Sequence, residues 1–146
     1  MEKQPRILYA EDNLNDIELT LAAFEENEIL NRVDIVHDGK EALDYLFRRG
    51  KFSKREKLTP DFLLLDIQMP GMGGIEVLKA IRESEEHRNL PVVMLTSSSM
   101  ESDIKTSYSV GANGYVIKPI DFNDLVNTIK GIGYFWGELN TTPCKI

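Results

Sequence analysis

The chain has 146 residues, 42% of them hydrophobic and 28% charged, which predicts one globular domain with its own core. A net charge of -7 excludes nonspecific nucleic-acid binding, because no stretch carries enough cations to neutralise several phosphates. The sequence has no apolar segment of membrane-spanning length and no signal peptide, and its single cysteine, Cys144, excludes an intramolecular disulfide. We expect a cytoplasmic protein that binds neither nucleic acid nor membranes.

The first strand is predicted from Arg6 to Ala10, an apolar run that ends abruptly at Glu11 and Asp12. A helix follows, with Asn13 or Asn15 as its cap. Its apolar residues recur at helical spacing: Leu14, Ile17, Leu21 and Phe24.

A second strand is predicted at Val33–Val36, and a helix from about Gly39 to Arg49 follows it, because Asp38 and Glu41 have capping-box spacing. Residues 50–59 form a loop rich in Lys and Arg. We interpret it as a solvated loop rather than a phosphate-binding patch, since Gly, Ser and Glu interrupt the cations.

The third strand, Asp61–Leu65, is a short apolar run bounded by turn residues, as in a strand buried on both faces of a parallel sheet. It meets Asp66 and breaks at Met69-Pro70-Gly71. A helix after Gly74 has the apolar face Ile75, Val77, Leu78 and Ile81.

The fourth strand, Leu90–Leu95, ends in Thr96 and three serines. Capping-box spacing between Ser98 and Glu101 predicts a helix from there to about Ser109, and its few apolar residues predict that it is the least firmly held helix.

The fifth strand is predicted at Tyr115–Ile117 and ends at Lys118. Asp121 caps the last predicted helix. We expect its apolar residues to point inward: Phe122, Leu125, Val126, Ile129, Ile132 and Trp136.

Five strands that alternate with five helices predict a parallel sheet covered on both faces. We expect an α/β flavodoxin-like three-layer sandwich with strand order 2-1-3-4-5. A dinucleotide-binding topology is the alternative.

Polar residues follow four of the five predicted strands, and right-handed crossovers place all these strand ends on one edge of the sheet. Carboxylates crowded there raise one another's pKa unless cations intervene. Lys118 supplies one positive charge, and oxygen ligands without His or Cys indicate Mg²⁺ for the rest. Such a site suits phosphoryl transfer, with Asp66 as the nucleophile that forms an aspartyl-phosphate and Thr96 as a hydroxyl donor.

The combined motifs resemble the receiver domain of two-component response regulators (CheY-like), from about Arg6 to Ile132. They are Glu11-Asp12, Asp66 before Met69-Pro70, Thr96-Ser97 and Lys118-Pro119. The resemblance implies a single receiver domain over residues 1–146, with a core of about 6–132, a C-terminal extension of 133–146 and no output domain.

The resemblance also implies a role for each matching residue. Asp66 would accept phosphate, and Mg²⁺ would be bound by Asp12, Asp66 and the backbone carbonyl of Gln68, with Glu11 acting through water. Lys118 would pair with the phosphoryl group. The remaining roles are the switch hydroxyl (Thr96), the switch aromatic (Tyr115), the residues that tune dephosphorylation (Gln68 and Ser98) and a cis peptide at Lys118-Pro119.

The expected phosphodonor is a sensor histidine kinase or a histidine phosphotransfer protein. Phosphorylation is expected to alter a surface made of the fourth helix, fifth strand and fifth helix, and so to control a downstream protein. The loop at 50–59 and the Phe135-Trp136 tail are similar to the stand-alone regulators paired with phytochrome-type kinases, which implies a homodimer through the same surface.

Two other functions remain open at this point. One is an Asp-nucleophile phosphatase, although these enzymes generally carry a second aspartate two residues after the nucleophile, where this chain has Gln68. The other is an interaction module that is never phosphorylated. Apart from its own phosphoryl transfer and slow autodephosphorylation, we expect no enzymatic activity.

Overall fold

The computed structural model describes residues 6–29 and 32–143, so Cys144 lies outside the described residues. Five strands form one parallel sheet in the order β2-β1-β3-β4-β5, which confirms the predicted flavodoxin-like fold. The strands are β1 (Ile7–Ala10), β2 (Val33–Val36), β3 (Phe62–Leu65), β4 (Val92–Thr96) and β5 (Gly114–Ile117).

The helices alternate with the strands as predicted. They are α1 (Leu14–Glu26), α2 (Gly39–Phe47), α3 (Gly74–Glu83), α4 (Glu101–Val110) and α5 (Phe122–Ile132). A 3-10 turn at Gly50–Phe52 follows α2, and a π-helical segment at Gly133–Leu139 continues α5. Within residues 6–29 and 32–143, none of these helices combines the length and the apolar composition that crossing a bilayer requires.

Two cores hold the sheet between its helices. Successive strand residues point to opposite faces, so Leu8 packs in a cluster with α2 and α3, whereas Tyr9 packs with α1 and α5. All four residues of β3 are fully buried, as expected for a strand covered on both faces. The cores therefore fix the positions at which the strands end.

Side-chain caps begin three of the helices. Asn13, rather than Asn15, caps α1, and Asp38 and Asp121 cap α2 and α5 by accepting from backbone N–H groups two or three residues further on. Helix α2 ends two residues earlier than predicted, because Arg48 adopts a left-handed conformation with φ of 53°.

The start of α4 differs from the prediction. The helix begins at Glu101, so the capping box expected at Ser98 is wrong. Instead, the Ser98 hydroxyl donates to Asp103 Oδ2 at 2.6 Å and accepts from the Met100 N–H at 3.3 Å. Within α4 only Ser107 is buried, in keeping with the thin apolar face expected for this helix.

Two apolar residues that fit the helical spacing are exposed, and one of them, Phe122, was expected to point inward. Leu14 is 73% and Phe122 37% exposed, because each is the first residue of its helix and lies beyond the edge of the core. Leu125 and Ile129 are buried as expected. Trp136 is half-buried against the same core.

The basic loop is better anchored than a solvated loop. The guanidinium of Arg55 lies 4.0 Å from the ring centroid of Tyr45 and donates to the carbonyls of Tyr45 and Leu58. Its neighbours Lys54 and Lys57 are exposed, as expected. The interpretation as a solvated loop is therefore wrong for Arg55.

Candidate functional site

Strand register brings the predicted site residues to one edge of the sheet. Ala10 of β1 pairs with Leu65 of β3, so the next residues, Glu11 and Asp66, leave the sheet side by side. On the other side of β3, Thr96 is the last residue of β4 and pairs with Ile117, the residue before Lys118.

Three carboxylates form a compact acidic cluster at this edge. Glu11, Asp12 and Asp66 each offer an oxygen, and these oxygens all lie within 4.8 Å of one another. Glu11 is fully buried, Asp66 is 6% exposed, and Asp12 is half-buried. Oxygen ligands at this spacing are suited to a hard divalent cation such as Mg²⁺.

The ammonium of Lys118 reaches into the acidic cluster from the end of β5. Its Nζ donates to Glu11 Oε1, to Asp16 Oδ2 at 3.1 Å and to Asp66 Oδ2 at 3.3 Å. The Lys118 side chain is only 8% exposed. Its positive charge is thus enclosed by carboxylates rather than by water.

Burial and neighbouring charges have opposite effects on the pKa values of Glu11 and Lys118. Burial, with a hydrogen bond to Asp66, raises the pKa of Glu11 to about 7, although Lys118 works against this rise. Burial works to lower the pKa of Lys118, but its hydrogen bond to Glu11 and the charge of Asp66 outweigh it and raise that pKa. Lys118 therefore stays protonated at neutral pH.

The loop after β3 holds Asp66 closely. Its Oδ1 accepts from the backbone N–H of Gln68 at 3.3 Å, while Oδ2 faces Lys118. Gly74 packs against the Asp66 backbone so tightly that a Cβ there would lie 2.1 Å from the Asp66 carbonyl oxygen. Gly74, the first residue of α3, is therefore required for this close approach.

The predicted switch residues are joined through one serine. Thr96 is fully buried, and its hydroxyl accepts from the Ser98 N–H at 3.4 Å. The Tyr115 hydroxyl donates to the Ser98 carbonyl at 2.9 Å, and the Ser98 hydroxyl donates to Asp103 in the first turn of α4. Ser98 thus connects the ends of β4 and β5 with α4.

Two features of the site differ from the sequence analysis. All peptide bonds of the described residues are trans, including Lys118–Pro119, so the expected cis bond is wrong; trans is the favoured isomer even before proline. Asp16 was missed as a partner of Lys118. Its one sequence signal is its position four residues after Asp12, and that spacing is too common to indicate a partner of Lys118.

The chain matches the family model described as response regulator receiver domain over residues 7–130. FilR2 of Methanothrix harundinacea, a probable methanogenesis regulatory protein, is 40% identical over 137 residues, which cover 94% of this chain and 86% of FilR2. The response regulator Rcp1 of Synechocystis is 33% identical over 137 residues, which cover 94% of this chain and 92% of Rcp1.

Solved structures resemble the chain over a similar extent. The phosphorylated cyanobacterial phytochrome response regulator RcpA superposes with a TM-score of 0.87 at 35% identity, covering 97% of this chain and 99% of RcpA. The Mn²⁺-bound form of Rcp1 has a TM-score of 0.84 at 32% identity, covering 95% of this chain and 99% of the other. The likeness therefore extends over nearly the whole length of the chain.

Proposed function

Because the chain belongs to the response regulator receiver family, we propose that it is a switch controlled by phosphorylation of Asp66. The observation that carries this proposal is that Asp66 lies beside two other carboxylates and an ammonium. Glu11 and Asp12 offer oxygens within 4.8 Å of an Asp66 oxygen, and Lys118 Nζ is 3.3 Å from Asp66 Oδ2. A carboxylate held between a cation site and a lysine is suited to attack on phosphorus.

The donor set fits Mg²⁺, which neutralises charge on phosphoryl oxygens when it is bound. We assign Asp12, Asp66 and the backbone carbonyl of Gln68 as direct ligands. Glu11 would act through water, because one of its oxygens accepts from Lys118 and the other from the N–H groups of Asp12 and Asn13. The Mn²⁺-bound form of Rcp1 supports a divalent cation in this family.

The phosphodonor in this proposal is a phosphohistidine on a sensor kinase or a histidine phosphotransfer protein. A carboxylate oxygen of Asp66 attacks phosphorus and forms a new P–O bond. The P–N bond breaks, and the imidazole leaves with its electron pair and takes up a proton. Lys118 stabilises the charge on the phosphoryl oxygens, and the Thr96 hydroxyl donates to one of them.

The hydrogen bonds of Ser98 offer a route from Asp66 to the surface. A shift of Thr96 toward a phosphoryl group would disturb its bond with Ser98, which also holds Tyr115 and α4. Helix α4 is suited to respond, since it buries little apolar surface. We therefore assign Thr96 and Tyr115 as switch residues, and Gln68 and Ser98 as residues that tune water access to the phosphoryl group.

The responding surface is the face formed by α4, β5 and α5. It exposes apolar side chains that a partner could cover: Tyr108, Ile117, Ile120 and Phe122. We propose that it binds a downstream protein and also forms a homodimer. Analytical ultracentrifugation with and without beryllofluoride tests the dimer, and a chain that stays monomeric at high concentration in both conditions contradicts it.

The relatives suggest the class of kinase. The chain spans almost the whole length of Rcp1 and of the phytochrome response regulator RcpA. We propose that it acts as a stand-alone regulator in the cytoplasm and receives phosphate from a phytochrome-like histidine kinase. Transfer rates from a panel of phosphorylated kinases test this assignment, which fails if an unrelated kinase is the fastest donor.

The central experiment is incubation with acetyl phosphate and Mg²⁺, followed by intact-mass measurement. One phosphoryl adduct should form on the wild-type protein and disappear in Asp66→Asn. Asp124→Asn, an identical change at an exposed position on α5, is the control and should keep the adduct. An adduct that survives in Asp66→Asn contradicts the proposal.

The same experiment separates the alternatives. An Asp-nucleophile phosphatase would turn over phosphate esters rapidly and repeatedly. The exposed Gln68, where such enzymes generally carry an acid, argues against this activity. A module that is never phosphorylated would form no adduct and would not respond to beryllofluoride.

A further inference from the structure

The ammonium of Lys118 has a third carboxylate partner outside the set of strand-end residues. Asp16 Oδ2 lies 3.1 Å from Lys118 Nζ, which is closer than Asp66 Oδ2 at 3.3 Å. An ammonium has three N–H donors, and Glu11, Asp16 and Asp66 accept one each. The donors of Lys118 are therefore fully used.

The position of Asp16 is well defined. It is in the first turn of α1, where its backbone N–H donates to the cap residue Asn13 at 3.0 Å. Its side chain is 37% exposed, whereas those of Glu11 and Asp66 are at most 8% exposed. Asp16 is thus the most solvent-exposed of the three partners of Lys118.

We propose that Asp16 is a positioning residue that restrains Lys118 and so weakens binding of an anionic group on Asp66. This inference rests on the proposed function and assigns Asp16 a part in it. A phosphoryl group on Asp66 needs an N–H of Lys118 and its positive charge. Asp16 competes for both, because it occupies one donor and neutralises part of the charge.

The same carboxylate acts in the opposite direction on a cation. Asp16 adds a negative charge to the acidic edge, which favours Mg²⁺. Since both oxygens contact the same Nζ, Asp16 Oδ2 lies at most about 6.4 Å from Asp66 Oδ2. At that separation, removing one unit charge changes the affinity for a singly charged ion by about threefold even at the dielectric constant of water.

The test measures both ions on the purified full chain. Mg²⁺ is titrated by isothermal calorimetry, and beryllofluoride is titrated at saturating Mg²⁺ with ¹⁹F NMR as the readout. For Asp16→Asn we expect a Mg²⁺ affinity about ninefold lower, because this ion carries two charges, and a beryllofluoride affinity about threefold higher. A residue with a merely structural role would weaken both together.

Two further variants serve as controls. Asp16→Glu keeps the charge and should retain affinities close to those of the wild type. Glu18→Gln removes one charge from an exposed position on the same helix and should change neither affinity beyond the small effect of net charge.

The inference is overturned if Asp16→Asn binds beryllofluoride no more tightly than the wild type, or if Glu18→Gln reproduces its shifts. Failure of the proposed function is a different result: the wild-type protein would form no adduct, or Asp66→Asn would keep it. If the wild type is phosphorylated on Asp66 and Asp16→Asn behaves like Glu18→Gln, only the role of Asp16 is rejected.

Discussion

Arg82 is predicted to be a main stabilising residue of the α4–β5 region. Its guanidinium donates to the carbonyls of Gly111 at 2.9 Å and Leu90 at 2.8 Å. It also donates to the carbonyl of Arg88 at 3.1 Å and to Asn113 Oδ1 at 2.8 Å. One side chain at the end of α3 thus holds both the start of β4 and the turn before β5.

The magnitude follows from the surroundings of these four bonds. Arg88 and Asn113 are exposed, so water can replace Arg82 there at little cost. The bonds to Gly111 and Leu90 are better shielded, and a hydrogen bond to a charged group contributes about 1.5–3 kcal/mol. Burial lowers the pKa of Arg82, and the same desolvation of its charge offsets part of the gain. We expect Arg82→Met to reduce the free energy of unfolding by about 3 kcal/mol.

Urea denaturation followed by far-UV circular dichroism measures this loss. Arg82→Lys keeps the charge but lacks the planar fork of donors, so its loss should be intermediate. Lys79→Met, an exposed position on the same helix, is the control and should stay within about 0.5 kcal/mol of the wild type. A loss below about 1 kcal/mol for Arg82→Met would refute the reasoning.

Three further predictions concern stability. Burial lowers the pKa of His87 from 6.5, so the free energy of unfolding should fall as the pH drops below 6.5 and through the lowered pKa. Urea titrations at several pH values measure this loss, and His87→Leu should make the free energy of unfolding less dependent on pH in that range. Burial raises the pKa of Glu11 from 4.5 to about 7, so without Mg²⁺ the free energy of unfolding should fall as the pH rises across that range. If Glu11→Gln shows the same fall, this expectation is contradicted. Gly74→Ala should lower the free energy of unfolding by about 3 kcal/mol, because its Cβ would meet the Asp66 carbonyl. Gly131→Ala should raise it by up to about 1 kcal/mol, because a Cβ there meets nothing within 4 Å among the described residues. Thermal unfolding compares the two variants.

Local patterns were sufficient for the alternation of strands and helices and for the residues at the edge of the sheet. Short apolar runs such as β3 end where the chain leaves the sheet, so a polar residue such as Asp66 directly after the run marks the strand terminus. Parallel topology then brings the termini together. The caps at Asn13, Asp38 and Asp121 were likewise readable, since a cap acts within three residues.

Local patterns failed where a side chain had two possible hydrogen-bond partners, and where its burial depended on the position of a helix end. Ser98 has the spacing of a cap, but its hydroxyl donates to Asp103 instead, and α4 begins three residues later than predicted. Leu14 and Phe122 fit the apolar spacing of their helices, but their exposure depends on where each helix begins relative to the core.

The sequence alone determined the fold class and the set of groups at the site, because both depend on residues close together in the chain. Only the tertiary structure decided how those groups are paired. The bond between Asp16 and Lys118 joins residues 102 positions apart, and Arg82 reaches Gly111 across 29. No periodicity encodes such separations, so the restraint on Lys118 becomes visible only when α1 and β5 are packed at the same edge.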